Sequence, residues 1–134
     1  MSPDPTAAVA DAFDKLPETA RATALALRDL IYEVAAQTPE AGPVEETLRW
    51  GQPAYITPKT KSGSTLRVGA TKAGEAAIFA HCGTRIISTY AATFPDMDRI
   101  EGNRAVIFAD VDAIAPDRLR LLIRHGLTYH LSDR

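Results

Sequence analysis

A single cysteine, Cys82, excludes an internal disulfide and any zinc centre built from several thiolates of one chain. No apolar run approaches the roughly 20 residues that span a bilayer. The opening Met1-Ser2-Pro3-Asp4-Pro5-Thr6 has neither the basic start nor the apolar core of a signal peptide. A cytoplasmic location without membrane contact is the expectation. Basic charge is also short: 15 Lys and Arg face 17 Asp and Glu, a net charge of -2. The cationic excess that drives nucleic-acid binding is missing. No stretch repeats, and no segment is of low complexity.

What the chain does have is a core. Its 134 residues are 46% hydrophobic and 24% charged, in the range of ordinary globular domains. One domain over residues 1–134 is expected, with residues 1–5 a flexible start. Residues Thr6 to Leu16 carry Val9, Phe13 and Leu16 at spacings near three and four, which predicts a short amphipathic helix. Pro17 and Glu18 suit the start of a second helix, running to about Gln37 with a stripe of Leu27, Leu30, Ile31 and Val34. Thr38-Pro39-Glu40-Ala41-Gly42-Pro43 ends it.

From Ala54 to Ala109 the period falls towards two, and this region is the expected sheet. Strands are predicted over Ala54 to Thr57, Thr65 to Ala70 and Glu75 to His81, with Lys59 to Gly63 as a polar, mobile hairpin tip. In the third of these, Ala76, Ile78 and Ala80 share one face and Ala77, Phe79 and His81 the other. Thr84 suits the cap of a helix with Ile87, Tyr90, Ala91 and Phe94 on one side, stopped by Pro95. Gly102-Asn103 signals a two-residue turn that places Glu101 across from Arg104 as an ion pair. Pro116 and Asp117 open a last helix with Leu119, Leu122 and Ile123 on one side, ending near Leu131. Without βαβ alternation, this order predicts an α+β fold: an antiparallel sheet of about five strands packed by N-terminal, middle and C-terminal helices.

Catalytic patterns are lacking. His125 and His130 are five apart, so on a helix their side chains diverge by about 140 degrees. Cys82 and His81 are neighbours that a strand would point to opposite faces, so Cys82 reads as a small buried hydrophobe. Ser88 has no Gly-x-Ser-x-Gly elbow, and Lys61-Ser62-Gly63-Ser64 lacks the spacing of a phosphate loop. A non-enzymatic domain is the expectation. Asp11, Asp14 and Glu18, at i, i+3 and i+7, read as a solvated helix face or a weak site for a hard cation such as iron. Glu45 and Glu46 read as loop or helix-entry charge.

The remaining polar set belongs to the sheet region: Arg49, Trp50, Tyr55, Arg67, His81 and Arg104. Trp50, the only tryptophan, stands beside Gly51 and Pro53, and reads either as a core ring or as the wall of a pocket. Arg67 alternates with the apolar face of its strand, which leaves it solvent-exposed or the anion-binding group of a concave sheet face. The expectation is a ligand site that these six residues line, for an unidentified small molecule or protein. A homodimer built on the apolar second sheet face is the alternative.

Glu46-Thr47-Leu48-Arg49-Trp50-Gly51-Gln52-Pro53-Ala54-Tyr55, then Phe79-Ala80-His81-Cys82-Gly83-Thr84, Phe94-Pro95 and Glu101-Gly102-Asn103-Arg104-Ala105, together resemble the YdhG-like family, a domain of unknown function. The resemblance covers nearly all of the chain from Ala20 onward, and its Trp-Gly-x-Pro-x-Tyr element is moderately specific. It implies one α+β domain with an antiparallel sheet packed by helices. The family's function is mostly unassigned, and some members look like bacterial frataxin-type iron chaperones, which implies surface carboxylates that bind iron. No defined set of such carboxylates matches here residue by residue. The family pattern also has Lys and His in the middle strands, where this chain has only Lys72 and His81 nearby.

Overall fold

The computed structural model describes residues 2–131. Two helices come first, α1 (Ala7–Asp14) and α2 (Glu18–Ala36), followed by strands β1 (Glu45–Arg49), β2 (Gln52–Ile56), β3 (Leu66–Ala70) and β4 (Ala76–Ala80). Helix α3 (Ile86–Thr93), strands β5 (Arg99–Glu101) and β6 (Ala105–Phe108), and helix α4 (Pro116–Leu127) complete the chain. All six strands form one antiparallel sheet in the order β1-β2-β3-β4-β6-β5. The α+β class and the antiparallel sheet match the expectation from the sequence; the strand count is six rather than about five.

The helices cover one face only. Thr6 caps α1 by accepting from the Val9 amide at 3.3 Å, which aims Val9 and Phe13 inward. The α2 stripe of Leu27, Leu30, Ile31 and Val34 is buried as its spacing predicts, and Thr38 closes that helix through Oγ1 to the Val34 carbonyl at 2.7 Å. From α4 come Leu119, Leu122 and Ile123, and from the sheet Tyr55, Leu66, Val68, Ile78, Val106 and Phe108. These inward strand positions alternate with Arg67, Ala77, Phe79 and Ala105, which belong to the uncovered face.

The strand that the sequence hid is β1. Its pairing to β2 runs Glu45 to Ile56, Glu46 to Tyr55 and on to Arg49 with Gln52, so Glu46 and Leu48 face the helices. A carboxylate pointing into a core disguises the alternation of a strand. Here Arg28 of α2 neutralises it through Nε to Oε2 at 2.6 Å and Nη2 to Oε1 at 3.0 Å, both side chains being 6% exposed. The Tyr55 hydroxyl donates to the same Oε2 at 2.8 Å, and Arg28 Nη2 also reaches the Pro3 carbonyl at 2.6 Å. Glu46 is therefore not the loop charge that the sequence suggested.

Five local expectations also change. The β5–β6 turn spans three residues, Gly102 to Arg104, because Glu101 pairs with Ala105; Arg104 does not face Glu101 as an ion pair. Arg85 rather than Thr84 is the residue that precedes α3. Segment 59–64 is no free tip: Ser62 is buried, its Oγ donates to the Leu127 carbonyl at 2.8 Å, and the Ser64 amide donates to Gly126 O at 2.9 Å. That docking ends α4 at Leu127, short of Leu131. Cys82 lies exposed in the turn after β4 instead of in the core.

Because Glu46 and Arg28 neutralise each other away from water, Glu46→Ala strands a buried guanidinium and is expected to cost about 3–5 kcal/mol; the double variant Arg28→Met with Glu46→Leu recovers most of it, as urea unfolding followed by circular dichroism will show. Burial first, and then the Glu46 charge, raise the Tyr55 phenol well above its ordinary value. The folded state thus holds that proton more tightly than the unfolded chain. Its stabilisation is complete below roughly pH 10 and declines above it by up to about 1.4 kcal/mol per pH unit. Tyr55→Phe, though less stable at neutral pH, is expected to show a shallower alkaline decline.

Candidate functional site

The uncovered face carries a trough of about 550 Å³ bordered by Gln52, Arg67, Phe79, Arg99, Glu101, Arg104 and Ile107, with Lys72 and Glu75 at its rim. Its floor follows from strand parity. Gly69 pairs with Ala77, which pairs with Ile107, and one step along Arg67 pairs with Phe79, which pairs with Ala105. Small residues at the middle of this grid leave a depression between the larger ones.

Gly69 has a steric reason to be glycine. A Cβ there would stand 2.5 Å from Gln52 Nε2, so the missing side chain is the space in which the Gln52 amide lies. Held across Gly69, Gln52 accepts from Arg67 Nη1 through Oε1 at 2.8 Å. The Arg67 guanidinium is also stacked over Phe79, with Cζ 5.4 Å from the ring centroid, and Phe79 is 5% exposed beneath it. Among the described residues no carboxylate forms an ion pair with Arg67 or Arg104. Burial, followed by the like charge of Arg104, pushes Arg67 below its ordinary value, yet a guanidinium stays protonated. At the opposite rim, Arg99 is matched by Glu75 through a bidentate contact whose longer arm is 2.9 Å.

Of the six residues expected to share one site, Arg67 and Arg104 line the trough and the other four do not. Tyr55 points to the helix face, bonded to Glu46. Trp50 is 90% exposed at the tip of the β1–β2 hairpin, neither core ring nor pocket wall. Trp50 and Gly51 both have positive φ, 55° and 75°, the pattern of a two-residue I′ turn. Arg49 is exposed at the end of β1, and His81 is exposed just past β4, where its Nδ1 accepts from the Gly83 amide at 2.9 Å. Arg67 is half-buried rather than free in solvent. Gln52, Arg99 and Glu101 were missed as site residues, although period-two counting from Arg67 across a register would have put them on its face.

Asp11, Asp14 and Glu18 are exposed, and Asp11 pairs with Lys15 at 2.8 Å. Among the described residues no group of three or more His, Cys, Asp or Glu side chains is placed to hold a metal ion. No described helix is long and apolar enough to cross a membrane. Comparison with protein-family models, with curated proteins and with solved structures finds no match.

The trough can therefore offer hydrogen-bond donors and positive charge over a small apolar floor. Gln52 Nε2 and the Arg67 and Arg104 guanidinium groups are its donors, and a bidentate guanidinium suits carboxylate or phosphate oxygens. Gly69→Ala is expected to displace Gln52 and release Arg67 from its hydrogen bond, costing about 1–3 kcal/mol. Chemical denaturation measures that loss, and arginine side-chain NMR shifts report the release.

Proposed function

We propose that this chain is a non-enzymatic binding domain whose trough takes a small organic anion. The observation that carries this reading is the pair Arg67 and Arg104, two like charges that line one trough with, among the described residues, no carboxylate ion-paired to either. Placing cations together in this way opposes folding, whereas a bound anion would offset it. Gln52 and Phe79 hold Arg67 in place, so little side-chain freedom is lost on binding. The trough's volume suits a ligand of small-metabolite size.

The resemblance to the YdhG-like family, whose function is mostly unassigned, names no ligand. Its frataxin-like branch would require converging carboxylates, and Asp11, Asp14 and Glu18 supply no such convergence. Titration of isotope-labelled protein with a panel of organic carboxylates and phosphate monoesters is expected to shift the Gln52, Arg67, Gly69 and Phe79 amides saturably. Arg67→Met or Arg104→Met should then weaken binding about 10- to 100-fold, the scale of one charged hydrogen bond. Absence of saturable shifts at millimolar anion, or shifts that both variants leave intact, would overturn the reading.

A further inference from the structure

We infer that strand β1 is a docking edge for a second copy of this chain. β1 ends the strand order, so among the described residues one side of it has no neighbouring strand. The two-residue turn at Trp50 and Gly51 makes Arg49 and Gln52 the closing pair of the hairpin, and alternation then directs the backbone groups of Arg49, Thr47 and Glu45 to β2. Those of Glu46 and Leu48 face outward. Among the described residues, no backbone bond outside the helices and strands engages either residue. An open row of this kind is a template for another strand.

The residue pattern of β1 is complementary to itself. Antiparallel pairing about Thr47 sets Glu46 against Leu48 of the second copy as hydrogen-bonded pairs, worth about four backbone bonds in all. On the trough face it sets Thr47 against Thr47 and, on both sides of it, Glu45 against Arg49 of the other copy. Glu45 and Arg49 are exposed and, among the described residues, appear in no ion pair. Opposite charges across strands, and facing threonines, favour this register. A shift one way would set Glu46 against itself, and a shift the other way would set Arg49 against Thr47. Only the central register matches every charge.

This pairing also gives Trp50 a role. A tryptophan 90% exposed, at a φ of 55° where asparagine or glycine is preferred, gains nothing from its own fold. Continued past the end of β1, the same register carries Trp50 towards Pro43 and Val44 of the second copy. An aromatic anchor at each end adds the apolar area that two short strands lack.

Sedimentation equilibrium of the full chain between about 10 μM and 1 mM tests the proposal, since an interface this small is expected to be reversible. The wild type should dimerise. Arg49→Glu sets like charges together twice and is expected to weaken the dimer about 10-fold or more, while Glu45→Arg with Arg49→Glu restores it to within a few-fold. Trp50→Asn should weaken the dimer about 10-fold and keep or raise the melting temperature, because asparagine accepts the turn's φ. Arg67→Met should leave dimerisation unchanged, which separates this surface from the trough. A wild type that stays monomeric to 1 mM, a dimer indifferent to Arg49→Glu, or a charge swap that fails to restore it would each overturn the proposal.

Discussion

The bidentate contact between Arg28 and Glu46 sits where four parts of the chain meet. It joins α2 to β1, and through the Tyr55 hydroxyl and the Pro3 carbonyl it reaches β2 and the N-terminal segment. An ion pair taken out of water repays its desolvation only when its remaining hydrogen-bonding capacity is filled. Here the third bond that Glu46 accepts, from the Tyr55 hydroxyl, and the Arg28 bond to Pro3 do that. Because among the described residues β1 has only β2 beside it in the sheet, this polar knot, together with Leu48 packed on the core, ties the first strand to the helical layer. The position of the hairpin tip, and of Gln52 just beyond it, follows from that attachment.

The second constraint is that the helices cover one face of the sheet. The other face shields itself with side chains: Gln52 lies over Gly69 and Arg67 lies over Phe79. This cover is polar on the outside and apolar beneath, which keeps the face in water without a second layer of helices. It also gathers cations. Arg99 is balanced by Glu75, which precedes β4, but among the described residues Arg67 and Arg104 have no such counterpart. Local departure from charge balance in an otherwise well-satisfied structure, which among the described residues has no buried side-chain polar atom without a partner, is where a binding site is sought.

Much of the fold was legible along the chain. The α2 stripe and the α4 stripe are strictly periodic and amphipathic, and both are buried as their spacing requires. The alternation in β3 and β4 also predicts which residues face the helices. What was not legible depended on distant partners. Glu46 reads as solvated charge until Arg28, 18 residues earlier, is placed beside it. Segment 59–64 reads as a mobile tip until Gly126 and Leu127 accept its hydrogen bonds from more than 60 residues away. The Gly102-Asn103 dipeptide marks a turn, yet the register of β5 against β6 made it one residue longer. For the site, the sequence named Arg67 and Arg104 among six candidates and had no means to separate them from Tyr55, whose face depends on the register of β2 against β3, where Tyr55 pairs with Leu66 and Ala54 with Arg67.

The sequence by itself determined the class of the fold, the helical stripes, the parity of the central strands and the lack of a metal or nucleophile motif, because these rest on local periodicity and residue chemistry. Only the tertiary structure decided which polar residues meet. Side chains separated by tens of residues converge through strand register and helix docking, and a one-residue change in register sends each to the opposite face. That is why Trp50, the residue that stood out most in the sequence, lies on a hairpin tip, while Gln52, two positions later, holds the arginine of the trough.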